Sequence, residues 1–207
     1  MTEAAVHGIL LAFGLILPLG AQNVFVFNQG ASQPTLLRAV PVILTAALCD
    51  TLLIVLAVLG VSLVLLTFPW LKLTLFGAGF LFLLYMGWTV WKSAASPSPS
   101  QDGGPLTAKR QIAFALSVSL LNPHAILDTV GVIGTNSLQY DSPEKWVFTG
   151  ACAAVSWLWF LGLAVTGRVI GRTDTKGNVL QAVNRLSALI IWGVAVYIAF
   201  GFVQEAM

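Results

Sequence analysis

The sequence predicts an all-α integral membrane protein that crosses the bilayer six times. Of its 207 residues, 57% are hydrophobic and only 9% are charged, whereas soluble domains average about 25% charged residues. The apolar residues form runs of about 20 or more, the length that a helix needs to cross the hydrocarbon core. The net charge of +2 is too small to indicate a nucleic-acid partner. We therefore expect lipid to surround the chain.

Charged and turn-forming residues divide the apolar sequence into six runs. A Ser/Pro/Gly-rich linker, 92–110, separates a first three-helix repeat, 1–91, from a second, 111–207. The predicted spans cover residues 5–27, 39–66, 73–91, 111–135, 146–168 and 186–204.

The distribution of Lys and Arg predicts the orientation, because cytoplasmic loops carry an excess of both. Only Lys72 and Lys145 lie in the loops after spans 2 and 4. The loops after spans 1, 3 and 5 are therefore predicted to be cytoplasmic, and both termini extracytoplasmic. These three loops hold Arg38, Lys92, Lys109, Arg110, Arg168, Arg172, Lys176 and Arg185.

Prolines at matching positions indicate an internal repeat. When "LILPLGAQN" is laid over "SLLNPHAILD", Pro18 falls on Pro123 and Asn23 on Asp128. Since each half has three spans, the second copy must be inverted, as in many secondary transporters with a midplane site between broken helices. We therefore predict two inverted three-helix repeats, with spans 1 and 4 broken at proline and Gly20 within the first break.

Each break frees backbone groups at membrane depth, because proline lacks an N–H and clashes with the preceding turn. Such groups are tolerated where they are buried in protein or line a wet cavity. The start of the following half-helix favours an anion such as a carboxylate. An ordinary kink satisfied by a neighbouring helix is the alternative, but two matched prolines beside polar residues favour a cavity. The candidate ligands near the breaks are Gln22, Asn23, Asn28, Asn122 and His124.

Two carboxylates lie inside predicted spans and away from their ends. Asp50 is near the centre of span 2 and Asp128 lies in span 4. A carboxylate at the bilayer centre costs roughly 2.5–3.5 kcal/mol on insertion scales, and no Lys or Arg is placed to neutralise either one. Each must be protonated, face water, bind a cation, or serve as hydrogen-bonding glue between helices. We predict that both bind a cation or carry protons.

Other chemistry is weakly represented. Cys49 and Cys152 lie in apolar runs and are predicted to be small buried residues. Tryptophans in the second half, such as Trp157 and Trp159, are more often packing residues or interfacial anchors. The sequence has no nucleotide-binding loop, zinc-ligand spacing or serine elbow. It therefore predicts neither an enzyme nor a cofactor or metal centre.

These motifs resemble the lysine/arginine exporter family, the LysE type of basic amino-acid exporters. "LILPLGAQNVFVFNQG" is similar to the first-span signature of that family, and "LLNPHAILDTVGVIG" to its Asn-Pro-x-Ala-x-Leu-Asp pattern. "CDTLLI" and "SWLWF" match its second-span and fifth-span segments, so the similarity covers essentially the whole chain. One position departs: many relatives have Pro-Gly-Pro or Gly-Pro-Gln where this chain has Gly20, Ala21 and Gln22.

The resemblance implies one transport domain in the bacterial plasma membrane. It would export L-lysine, L-arginine or close analogues, driven by ion gradients and the membrane potential. The half-helix N-termini would take the substrate carboxylate, and Asp50 and Asp128 its basic group or protons. Protonation of one Asp would release the cation outward and reset the carrier. Assembly into homo-oligomers is left open.

Other functions fit part of the pattern. An exporter of neutral amino acids would use the two acids for the α-ammonium group and the proton. A divalent-metal exporter would need about six or more oxygen ligands, which two aspartates with amides and carbonyls could barely supply. A membrane scaffold without transport would tolerate replacement of Asp50 and Asp128 by Asn or Leu.

Overall fold

The computed structural model describes residues 1–17, 20–60, 77, 80–81, 83–85, 87–92, 105–120, 126, 129–174 and 178–206. These residues are largely helical and contain no β-strand, which confirms the predicted all-α class. The elements are α1 (Thr2–Ile16), α2 (Ala21–Ser32), a 3-10 turn (Leu36–Ala39), α3 (Val40–Val58), α4 (Ala108–Leu120), a π-helical segment (Thr129–Gly134) running into one α turn (Thr135–Ser137), α5 (Glu144–Thr173) and α6 (Asn178–Ala206).

Two stretches within the described residues are long and apolar enough to cross a bilayer. They are Leu36–Val58, with 23 residues, and Glu144–Thr173, with 30 residues. They overlap predicted spans 2 and 5, although α5 extends beyond both ends of the predicted 146–168. Their length and composition support a protein embedded in a membrane.

The first predicted span is interrupted close to the predicted position. α1 ends at Ile16, α2 begins at Ala21, and their axes are inclined by 82°. Gly20 precedes α2 in extended conformation, with φ −76° and ψ 175°, so its backbone does not require glycine. Pro18 lies outside the described residues.

α5 lies at the centre of the described bundle and packs against α1, α2 and α3. Its fully buried Phe160 belongs to a core with apolar residues of α2, α3 and α4. Phe148, nearer its start, packs with α1, α3 and the π-helical segment. Because α5 belongs to both cores, its side chains can meet those of three other helices.

The contact between α2 and α5 is made by small residues. A Cβ atom on Gly30 would collide with the backbone of α5 at Ala164, and one on Gly167 with the backbone of α2 at Phe27. Gly171 approaches Ala31 in the same way. Small residues let helix backbones come close where lipid provides no hydrophobic driving force between helices. This contact fixes where α2 begins relative to the middle of α5.

Candidate functional site

A polar contact joins α3 to α5 inside the bundle. Ser156 Oγ donates a hydrogen bond to Asp50 Oδ2 at 2.7 Å, and Ser156 is only 3% exposed. One residue further along each helix, Trp157 Nε1 donates to Thr51 Oγ1 at 3.1 Å. Two consecutive residues of α3 thus pair with two consecutive residues of α5.

Gln22 brings the start of α2 to the same place. Its side chain is buried, and Nε2 donates to the carbonyl of Ala46 at 3.5 Å. Ala46 lies one helical turn before Asp50, and the Gln22 amide also interacts with the Asp50 carboxylate. We refer to Asp50, Ser156 and Gln22 as the Asp50 site, to which α3, α5 and α2 each contribute one polar side chain.

A fourth helix, α4, also packs close to this site. Ser119 is fully buried and lies beside Cys49, the residue before Asp50. Its hydroxyl has no hydrogen-bond partner among the described residues. Cys49 and Cys152 are both free and buried, which confirms their predicted role as small packing residues.

The Asp50 site contains a carboxyl group without a basic partner among the described residues. Asp50 is the one carboxylate inside Leu36–Val58 and Glu144–Thr173 that lies away from the helix ends. The Met1 amino group and Glu144 form an ion pair at 2.6 Å, far along α5 from this site. A carboxylate has about four acceptor positions, so the bonds described above leave room for a cationic ligand. In the described part of the chain, no three His, Cys, Asp or Glu side chains cluster as metal ligands.

The three predicted amide ligands on α2 lie in different surroundings. Gln22 lies at the Asp50 site, as above. Asn23 instead donates from Nδ2 to the carbonyl of Ile16 at 2.8 Å, which satisfies an acceptor at the end of α1 and ties the two halves of the broken span together. Asn28 lies six residues beyond Gln22, about 9 Å along α2 and on another face, and its buried Oδ1 has no hydrogen-bond partner in the described structure.

The second half of the predicted site lies outside the described residues. The pairing of Asp50 with a second acid in span 4 therefore stays a prediction, as does the break in that span. The residues concerned are Asn122, Pro123, His124 and Asp128.

Sequence reasoning missed a polar cluster at the far end of α2. The Arg168 guanidinium of α5 donates to the carbonyls of Gln33, at 2.5 Å, and Pro34. Gln33 Nε2 in turn donates to the Leu106 carbonyl at 2.9 Å. A cation stabilises the C-terminal end of a helix, so Arg168 caps α2. From the sequence, Arg168 appeared only as one of several cytoplasmic loop charges.

A second missed cluster ties α1 to the loop before α5. His7 Nδ1 and the Tyr140 hydroxyl are 2.8 Å apart. Partial burial raises the pKa of Tyr140, and the negative charges of Glu3 and Glu144 act in the same direction. This cluster lies at the opposite end of α5 from Arg168.

Comparison with known proteins relates this chain to a family of membrane transporters. The model of the LysE type translocator family matches residues 13–201. YisU of Bacillus subtilis (strain 168), provisionally named an amino-acid transporter, is 55% identical over 94% of this chain and 88% of its own length.

More distant relatives carry a more specific name. The arginine exporter protein ArgO of Enterobacter sp. (strain 638) is 33% identical over 97% of this chain and 93% of its own length. ArgO of Escherichia coli (strain K12) is 32% identical over 93% and 92%, respectively. No solved structure matches the chain significantly.

Proposed function

Since the chain belongs to the LysE type translocator family, we propose that it is a secondary transporter that exports basic L-amino acids across the bacterial plasma membrane. Arginine and lysine are the proposed substrates. The relatives named as arginine exporters support this substrate class. Transport rather than an enzymatic reaction is the activity that the family implies.

The Asp50 site is the observation that carries this function. Ser156 occupies one carboxylate oxygen of Asp50, and no described Lys or Arg pairs with the charge. A guanidinium or ammonium group can therefore bind the carboxylate by a charge-assisted hydrogen bond. Because the α-ammonium group of a neutral amino acid could also pair with this carboxylate, the preference for a basic substrate is supported by the relatives named as arginine exporters.

The start of α2 supplies a place for the substrate carboxylate. The first backbone hydrogen bond of α2 runs from the Val24 N–H to the Gly20 carbonyl at 3.1 Å. The N–H groups of Ala21 and Gln22 precede it and have no acceptor within the helix. The positive end of the α2 dipole also lies at this N-terminus and attracts an anion. The α-carboxylate of the substrate would therefore bind at the start of α2, and its basic side chain at Asp50.

We extend the proposal to the whole chain as two inverted three-helix repeats with both termini extracytoplasmic. Span 4 would break at Pro123 and bring Asp128 to the same midplane site. Uptake of a proton by one acid would release the cation outward, so that the proton gradient and the membrane potential drive export.

Efflux from proteoliposomes tests the function directly. Vesicles containing the purified protein are loaded with arginine, lysine, leucine or Mn²⁺, and each solute is followed with and without an imposed pH gradient. We expect arginine and lysine to leave faster than from protein-free vesicles, and faster when the receiving side supplies protons. Movement of Mn²⁺ or leucine without arginine and lysine would overturn the proposed substrate class.

Labelling tests the orientation separately. The chain has two cysteines, both buried, so a Thr2→Cys variant offers one accessible thiol near the N-terminus. We expect a membrane-impermeant maleimide to label it in intact cells. Labelling only after the membrane is opened would place the N-terminus in the cytoplasm.

A further inference from the structure

Ser156 is bonded differently from most of the described hydroxyl side chains on these helices. Serine and threonine in a helix commonly donate to the carbonyl one turn earlier. Among the described residues that do so at 2.7 to 2.9 Å are Thr45, Thr51, Ser117 and Thr149. Ser156 instead donates across to Asp50 on α3, although the Cys152 carbonyl lies one turn before it on α5.

We propose that Ser156 is a positioning residue for Asp50, and that its hydroxyl alternates between the Asp50 carboxylate and the Cys152 carbonyl as the carboxylate changes state. While Asp50 is ionised, the hydroxyl holds and orients it. When Asp50 takes up a proton or a cation, the hydroxyl turns to its own helix. This role deepens the proposed function, on which it rests for its place in transport.

The hydrogen-bonding capacity of the groups explains the alternation. A serine hydroxyl has one proton to donate, and an ionised carboxylate can only accept. A protonated carboxyl is itself a donor and a weaker acceptor, because hydrogen bonds to ionised groups are roughly twice as strong. With Ser156 only 3% exposed, its hydroxyl then needs another buried acceptor, which its own helix supplies.

The surroundings of Asp50 contain little else that titrates. Gln22 from α2 and Ser156 from α5 are neutral, and so is Ser119 from α4. Cys49, beside Asp50 on α3, is the other titratable side chain there in the described structure. Among the described side chains, Ser156 therefore makes the closest hydrogen bond to the Asp50 carboxylate, at 2.7 Å.

Infrared spectroscopy of the purified protein in lipid tests this role without transport. The carbonyl band of a protonated carboxyl group is followed against pH, and Asp50→Asn assigns the Asp50 band by removing it. Loss of the donor favours the protonated form, so Ser156→Ala should move the half-development of this band upward by about one pH unit. Ser156→Thr keeps a hydroxyl and should restore the original position.

Thr51→Val provides the matched control, because it removes the neighbouring bond between the same two helices and leaves the carboxylate bond in place. We expect the Asp50 band to titrate as in the unaltered protein. If Ser156→Ala does not fold, Ser156→Cys, a weaker donor, should give an intermediate shift. A band that titrates alike in the unaltered protein and the Ala or Cys variant would overturn the role of Ser156.

Arginine efflux from the same preparations separates the two proposals. If the unaltered protein shows no arginine efflux, the proposed function is contradicted, even if the Asp50 carbonyl band shifts in Ser156→Ala as expected. Efflux with an unshifted band contradicts the role of Ser156 alone.

Discussion

α5 meets two of its partner helices, α2 and α3, in opposite ways. Against α2 it has glycines, and the backbones approach because side chains are missing at Gly30 and Gly167. Against α3 it has polar side chains, and the helices are joined by the bonds of Ser156 to Asp50 and of Trp157 to Thr51. The first contact brings backbone against backbone at these glycines, whereas the second holds a carboxyl group between two apolar helices.

This difference separates stability from function. Close backbone contact gives α2 and α5 one favoured arrangement, closed at one end by Arg168. A carboxylate inside a membrane is costly and contributes less to packing than an apolar residue would. We therefore expect substitutions at the α2–α5 contact to affect folding, and substitutions at the α3–α5 contact to affect transport.

The largest expected effect on stability is that of Gly167→Leu. Its side chain would have to occupy the space of the α2 backbone at Phe27, so we expect a loss of about 4 kcal/mol or more and little folded protein by size-exclusion chromatography in detergent. Gly162→Leu on the same helix is the control, because a Cβ there meets nothing within 4 Å. Equal behaviour of the two variants would show that the close contact is not needed.

Arg168→Gln should have a moderate effect. It removes two hydrogen bonds to carbonyls after the end of α2, and bonds from a charged donor contribute about 1.5–3 kcal/mol. We expect a lower midpoint of thermal unfolding in detergent, with arginine efflux retained in the folded fraction. Arg172→Gln, at an exposed position in the last turn of α5, should unfold like the unaltered protein.

Thr51→Val should have the smallest effect. Hydrogen bonds between membrane helices contribute about 0.6 kcal/mol on average, and this change leaves the Asp50 carboxylate untouched. We expect an unfolding midpoint and an arginine efflux rate close to those of the unaltered protein. A strong loss of efflux would mean that the whole α3–α5 contact, and not the carboxylate, is what transport requires.

The sequence predicted the features that depend on one kind of residue, namely the helix break and the acid inside a span. The break before Ala21 was visible because Pro18, Gly20 and two amides interrupt an apolar run, and α1 and α2 do separate there. Asp50 was visible because a charge stands out in a membrane span. Helix-breaking and charged residues have strong local costs, so their effects appear without knowledge of the fold.

Features that depend on which faces meet were not predicted. Nothing in "SWLWF" shows that Ser156 faces Asp50, since that needs the register of α5 against α3. Gly167 and Gly171 have the four-residue spacing typical of close helix contacts, a signal that the sequence offered and that pointed to no partner helix. Asn23 stays a predicted substrate ligand; its bond to the Ile16 carbonyl at the end of α1 was not predicted, because it depends on how the two halves of the break meet.

Arginine efflux by Asp50→Asn tests the central role of the Asp50 carboxylate most directly. The amide keeps the size of the side chain and removes the charge. Removing a buried charge that pairs with a ligand costs about 2–5 kcal/mol, so we predict at least roughly a 30-fold loss of efflux. The folded yield should stay near that of Asp141→Asn, the same change at an exposed loop position. Unaltered efflux by Asp50→Asn would contradict this role and leave Asp50 as hydrogen-bonding glue between α3 and α5.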